Sequence, residues 1–280
     1  MGKPIIAVLG GRGMLGTELT AECTGRGLEV RVYDLPEFDV TNDEHLRRAV
    51  DASDVLINCA AYTNVDGAES ESALAHRING QAVGHLGELA RRRGKWVLYF
   101  STDFVFDGRL DRPYVETDTP NPISEYGKSK LAGERLLLAS GCSHCILRLE
   151  WTYGDNGRNF ITKLIQRADR GGPVFVVDDQ VGAPTATRSV ARVVRTLVDR
   201  RLEGIYHFAA AGYASRYEVA AFTFRHLVRE IDLRPCHTGD YPSPAARPLN
   251  SRFECGRIQA VLGEPIAPWQ EPLKQYLRQL

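Results

Sequence analysis

The feature that most constrains this chain is the run Gly10-Gly11-Arg12-Gly13-Met14-Leu15-Gly16, set between an apolar strand pattern (Pro4–Leu9) and the start of a helical one. Glycines spaced as Gly10-x-x-Gly13-x-x-Gly16 permit a tight turn, close approach of backbone to a ligand, and tight helix–strand packing. The free N–H groups and dipole at the following helix N-terminus favour phosphate. In a strand–loop–helix setting the run predicts a dinucleotide site that uses Gly10, Gly11, Arg12, Gly13, Met14 and Leu15.

The rest of the N-terminal half agrees with that beginning. Strands are predicted at Leu28–Tyr33, Val55–Asn58, Trp96–Ser101 and Cys145–Leu149. Helices separate them at Met14–Thr24, Asp43–Val50, Ser72–Arg92 and Tyr126–Ala139. Strands that are apolar throughout and alternate with helices pair in parallel, buried on both faces. The fold class is therefore α/β, a doubly wound, Rossmann-like parallel sheet. Beyond Leu149 the pattern loosens. Short strands at Val174–Val177 and Ile205–Phe208, helices near Arg188–Asp199 and Tyr217–Glu230, and the proline-rich Tyr241–Pro248 suggest a smaller C-terminal lobe. Residues 1–150 are read as the dinucleotide-binding core, and 151–280 as the last Rossmann elements interleaved with a substrate lobe.

Lys and Arg together number 35, as do Asp and Glu, so the electrostatic footprint of a nucleic-acid binder is absent. No cleavable signal and no apolar span of about 18 residues is read, which predicts a cytoplasmic protein without membrane contact. The six cysteines lack a disulfide-framework spacing and suit free thiols in a reducing compartment.

Asp34, after the second strand, stands where a carboxylate can bond an adenosine ribose and favours NAD. Arg12 can reach a 2′-phosphate and favours NADP. The cofactor expected is NADPH or NADH. Asp39-Val40 is positioned to contact adenine, with helix capping as the competing role. Tyr126 and Lys130 are spaced i, i+4 on one helix face. A tyrosine of pKa about 10 exchanges protons poorly at neutral pH, and a nearby ammonium should lower it for acid–base work. Thr102, in Ser101-Thr102-Asp103 at a strand's carboxyl end, can hold a carbonyl oxygen beside Tyr126.

These blocks, with Asn58 to Asp66, Tyr126 to Glu134, Arg148 to Tyr153, Asp179 to Thr185 and Arg247 to Ser251, resemble the dTDP-4-dehydrorhamnose reductase family over nearly the full length. The resemblance implies reduction of the C4 keto group of a nucleotide-linked deoxysugar, dTDP-4-dehydro-L-rhamnose to dTDP-L-rhamnose, with Thr102, Tyr126 and Lys130 catalytic. It implies that Ala60, Ala61 and Tyr62 line the cofactor channel and that Asn79 supports a proton-relay water. Val65, Asp103, Phe104 and Trp151 would meet the sugar, with Trp151 packed against its ring. Some relatives form homodimers bridged by magnesium; no matching acids are assigned here and no metal is expected. Phe104 stands where the family commonly has tyrosine, and Glu150 where it has serine.

Two other readings stay open: a 4-ketoreductase for another nucleotide deoxysugar, and a regulatory subunit of the methionine adenosyltransferase type. Phe104, where dehydratases of the superfamily typically carry an acid, argues against dehydration. Cys142-Ser143-His144-Cys145 leads into a buried strand without a second cysteine pair, so zinc is not expected. No histidine belongs to an evident ligand cluster. Asp178-Asp179 reads as a turn before a helix capped near Thr187, and Arg91-Arg92-Arg93 as a solvated helix end. Arg247 is either a clamp for the nucleotide diphosphate or a structural ion pair.

Overall fold

A computed structural model describes residues 3–280. The order of elements begins β1 (Ile5–Leu9), α1 (Met14–Gly25), β2 (Glu29–Tyr33), α2 (Asp43–Asp51) and β3 (Val55–Asn58). It continues with α3 (Gly67–Ser70), α4 (Ser72–His76), α5 (Ala82–Arg93), β4 (Trp96–Thr102), α6 (Glu125–Ser140) and β5 (Ser143–Leu149). Next come β6 (Thr152–Tyr153), α7 (Phe160–Asp169), β7 (Val174–Val177), β8 (Val181–Gly182), β9 (Thr185–Ala186), α8 (Thr187–Arg200) and β10 (Gly204–Phe208). The chain closes with β11 (Ala214–Ser215), α9 (Arg216–His226), β12 (Leu233–Cys236), α10 (Gly256–Leu262) and α11 (Gln270–Leu277).

Six strands form one parallel sheet in the order β10-β5-β4-β3-β1-β2. β3 and β4 are buried along their whole length, which is why they read as continuous apolar runs. One core cluster lies between the sheet and the α1/α8 side, with Ile6, Val8, Leu19, Val190 and Leu197. The other joins the opposite face to α2 and α5 through Leu46, Val50, Val83 and Leu86. The chain goes from β1 to β2 on one side, then crosses to β3 on the other. That reversal opens a crevice at the strands' carboxyl ends, where ligands bind in doubly wound sheets.

The long helix expected over Ser72–Arg92 is present as a continuous run from Ser72 to Arg93, with one irregular turn inside it. Residues Arg77–Gln81 form a π turn, and the backbone there comes so close to α6 that a Cβ on Gly133 would stand 2.1 Å from the Asn79 carbonyl oxygen. The π turn thus lies where two helices pack closely, and single π turns inside α-helices are frequent at functional sites. The C-terminal lobe contributes three two-stranded pairings, β11-β8, β12-β7 and β6-β9. Its helices α7, α10 and α11 and strand β12 are not expected from the sequence. α8 is preceded by Ala186 with no side-chain cap, and the buried Thr187 hydroxyl has no partner. The expected cap near Thr187 is therefore corrected. No helix among the described residues is long and apolar enough to cross a membrane.

Candidate active site

A cavity of about 790 Å³ runs along the carboxyl edge of the sheet from the glycine loop to the C-terminal lobe. At one end Gly10 adopts a φ of +72°, and a Cβ there would stand 2.6 Å from the Ala60 nitrogen. Glycine alone lets the β1 and β3 loops meet beneath the N-terminus of α1. Gly10, Arg12, Gly13, Met14 and Leu15 line this end, with Asp34, Asp39, Val40, Ala60 and Ala61. Gly11 does not face the cavity; its α-carbon packs against Val8 and Val32.

Asp34 accepts the backbone N–H groups of Arg12 and Leu35 at 2.7 and 2.8 Å, which fixes its carboxylate at the cavity rim. The Arg12 guanidinium meets Glu37 at 2.9 Å in a pair that is 60% and 66% exposed. So exposed a pair is weak, and Arg12 can turn toward another anion at small cost. Asp39 closes a local turn by accepting both the N–H and the hydroxyl of Thr41. The cap of α2 is Asn42, so the capping role weighed for Asp39 passes to its neighbour.

The other end is built on β4 and α6. Ser124 caps α6 by accepting the Gly127 N–H at 3.2 Å, which places Tyr126 and Lys130 one turn apart at the mouth of the helix. A Cβ on Gly127 would lie 2.2 Å from the Phe104 carbonyl oxygen, so glycine here lets the turn after β4 press on α6. Phe104 and Tyr126 then meet edge-to-face with ring centroids 5.5 Å apart. Thr102 donates to Asp103 at 2.9 Å, and Asp103 accepts from Ser251 at 2.5 Å, tying the β4 end to the lobe. Lys130 is buried below, donating to the Phe100 carbonyl at 2.6 Å and lying 4.2 Å from the Tyr99 ring centre.

The electrostatics differ from the simplest expectation. Burial pulls the Lys130 ammonium down to about 7. Burial, reinforced by Asp103, pushes the Tyr126 phenol up, with the Thr102 hydroxyl opposing. The lysine is held by a carbonyl and does not lower the tyrosine here. Tyr126 is thereby kept protonated at neutral pH, the form a proton donor requires.

The cavity brings together Thr102, Asp103, Phe104, Tyr126, Lys130, Val65 and Trp151. Three other expected site residues point elsewhere. Asn79 spends its amide N–H groups on the Tyr62 carbonyl and the Ser129 hydroxyl and accepts the Tyr62 N–H, at 2.8–3.0 Å, so it pins a loop and does not line the cavity. The Tyr62 hydroxyl bonds Glu71 on the outer side of that loop. Arg247 holds Asp66 at 2.9 and 3.0 Å and also bonds Ser243 and the Ala245 carbonyl. Its guanidinium is engaged as an ion pair and does not line the cavity.

Trp151 is present in the cavity wall but is not free to stack. The Arg216 guanidinium lies 3.5 Å from its ring centre. A Cβ on Gly182 would stand 2.7–3.1 Å from Cε2, Cζ2 and Cδ2, around the ring-fusion bond. Arg216 covers one face of the ring and Gly182 packs close against its fusion bond, so that face is closed to the flat sugar stack expected of this indole. Arg216, which the sequence reading missed, lines the cavity itself. No sequence pattern marks it; it is one arginine among many at the start of a helix. Asp178, Asp179 and His237 do gather, contrary to the expectation of no histidine cluster. Asp179 is occupied by the Thr238 N–H and hydroxyl, and His237 pairs with Asp178 at 3.1 Å.

A doubly wound sheet with a glycine-loop cleft and a Thr–Tyr–Lys set at its carboxyl edge defines an extended short-chain dehydrogenase/reductase, an oxidoreductase class. Residues 4–280 match the family model described as the RmlD substrate binding domain. The chain is 36% identical over 284 residues to a dTDP-4-dehydrorhamnose reductase of Aggregatibacter actinomycetemcomitans, covering 96% of this chain and 97% of that one. It superposes on the dTDP-4-dehydrorhamnose reductase of Bacillus anthracis, solved in complex with NADP, with a TM-score of 0.95, 30% identity and full coverage of both chains. The Clostridium acetobutylicum reductase gives a TM-score of 0.94 at 35% identity, covering 98% of this chain and 99% of that one. The chain belongs to the dTDP-4-dehydrorhamnose reductase family.

Proposed function

We propose that this protein reduces the C4 keto group of dTDP-4-dehydro-L-rhamnose to give dTDP-L-rhamnose, using NADPH or NADH. The observation that carries the reading is the convergence of Thr102 and Tyr126 on one cavity wall, continuous with the Gly10–Leu15 cradle. A reduced nicotinamide dinucleotide bound there supplies the hydride. Gly10, Gly13, Met14 and Leu15 would hold its phosphates at the N-terminus of α1, Asp34 its ribose, and Arg12 a 2′-phosphate when one is present.

Thr102 and Tyr126 hold the substrate carbonyl oxygen from the protein side. As negative charge develops on that oxygen, Tyr126 transfers its phenolic proton to it. Lys130, one turn along the helix, supplies positive charge beneath the tyrosine once the phenolate forms. Ala60 and Ala61 wall the channel, while Val65 and Phe104 close the sugar end. The NADP complex of the Bacillus anthracis relative supports the cofactor class.

We assign residues 1–150 to cofactor binding and residues 151–280 to the last Rossmann elements with the substrate lobe. All six cysteines are free thiols, in keeping with a cytoplasmic site of action, and a homodimer is the assembly we favour. The experiment is to incubate the purified protein with NADPH or NADH and a panel of 4-keto nucleotide sugars. Conversion of the rhamnose precursor ahead of the panel supports the reading. Faster turnover of a different deoxysugar reassigns the substrate.

A further inference from the structure

We propose that Arg216 is the residue that recognises the sugar of the substrate, its guanidinium donating to a pair of vicinal hydroxyls next to the reacting carbonyl. The inference deepens the functional reading above and rests on it.

The geometry begins with Trp151, one face of which is covered by the Arg216 guanidinium, while Gly182 packs against the ring. That face is therefore not on offer to a sugar ring. The guanidinium takes its place in the wall that also carries Thr102 and Tyr126. Stacking on Trp151, with Phe160 a further 4.9 Å contact, fixes the plane of the guanidinium and removes much of the rotamer freedom an arginine loses on binding.

Its donors are uncommitted. Among the described residues the Arg216 side chain forms no hydrogen bond or ion pair, while its backbone N–H bonds the Gln180 carbonyl. The nearest acids do not take it up. Both oxygens of Asp103 are engaged by Thr102 and Ser251. Glu150 is 1% exposed and forms no ion pair with the guanidinium. A half-buried, stacked fork of N–H donors facing a cavity is a built acceptor site.

The same acids select among acceptors. Asp103 and Glu150 both act electrostatically on Arg216 and offset the effect of its burial. A diphosphate placed here would set two charges beside the Asp103 carboxyl, whose oxygens are committed to Thr102 and Ser251. Two adjacent hydroxyls add none, and their oxygens match the spacing of the fork. A 4-keto-6-deoxyhexose carries such a pair on C2 and C3, immediately beside the carbonyl that Thr102 and Tyr126 hold.

The test is calorimetric binding to the full-length protein of three probes: dTDP, dTDP-L-rhamnose, and a dTDP-linked analogue lacking the 2-hydroxyl. The wild type should bind dTDP-L-rhamnose more tightly than dTDP. Arg216→Gln should cut that gain on the order of tenfold, with affinities for dTDP and NADPH held within about twofold. With the deoxy analogue, which keeps only the C3 hydroxyl of the pair, the difference between wild type and variant should shrink. Arg216→Lys keeps the charge without the planar fork and should recover only part of the gain.

An Arg216→Gln protein that keeps the full sugar gain overturns the proposal, and one that loses dTDP affinity in proportion moves Arg216 to the diphosphate. Unchanged NADPH affinity in either variant establishes that the fold is intact. A wild type that binds neither dTDP nor its rhamnose conjugate overturns the functional reading and this proposal together.

Discussion

Two buried ionic clusters sit two residues apart in this chain, and they are built on opposite principles. In the first, Arg148 on β5 and Glu134 on α6 form a two-pronged pair at 2.9 and 2.7 Å, each side chain 2% exposed. His207 completes it, with Nε2 at 3.2 Å from the Arg148 Nη1 and Nδ1 at 3.1 Å from the Tyr114 carbonyl. A neutral imidazole that donates from Nδ1 and accepts at Nε2 satisfies both contacts, and burial with the neighbouring Arg148 pulls His207 down to about 3. In the second cluster Glu150, Asp103 and Arg216 lie close, yet no direct pair forms between them. The first cluster is closed on itself and holds sheet to helix. In the second, Arg216 is left open at the cavity, and its unspent donors are what a substrate can use.

The largest effect is expected in the closed cluster. Glu134→Ala leaves Arg148 charged and unpaired in the core, and should cost about 3–5 kcal/mol, read as the shift in urea midpoint at unchanged slope. A loss under about 1 kcal/mol would mean that water reaches the arginine and that the cluster is not closed.

pH separates the two clusters next. His207 has a folded-state pKa below its unfolded value of 6.5, so the unfolded chain binds the extra proton first. Stability supported by neutral His207 is full above about pH 6.5 and is lost as pH falls toward 3. Replacing it with Gln should flatten that acid limb of a thermal-denaturation series. Glu150 works in reverse. Burial, with Asp103 adding to it, raises its carboxyl well above the ordinary 4.5, so the folded chain holds the proton and stability falls as pH rises through the window above 4.5. Glu150→Gln should therefore match the wild type near pH 4 and exceed it at pH 8. The gain should be about 2–4 °C in Tm, corresponding to roughly 1 kcal/mol. Equal Tm values across the range would show that Glu150 ionises without penalty.

The contrast also marks what could be read in the sequence. The sheet was legible because β1, β3 and β4 bury both faces and so appear as uninterrupted apolar runs. The glycine loop and the Tyr126/Lys130 spacing were legible because each depends on local geometry alone. The π turn at Arg77–Gln81 was not, since nothing in the local sequence announces it and it lies where Gly133 approaches from another helix. Strands of two residues such as β8, β9 and β11 are too short to show a period. Trp151 was recognised as a wall residue, but its orientation is fixed by Gly182 and Arg216, both distant in sequence. The choice between the two roles of Arg247 and the partners of Asn79 were not legible for the same reason: Asp66 and Ser129 come from elements that only the fold brings near.

The measurement that reaches the central claim most directly is single-turnover oxidation of bound NADPH by dTDP-4-dehydro-L-rhamnose, comparing wild type with Tyr126→Phe. If Tyr126 is the proton donor, the variant should bind NADPH as before and lose about 10²–10⁴-fold in rate. A variant with near-normal turnover would contradict the account, because a group other than Tyr126 would then have to protonate the carbonyl oxygen.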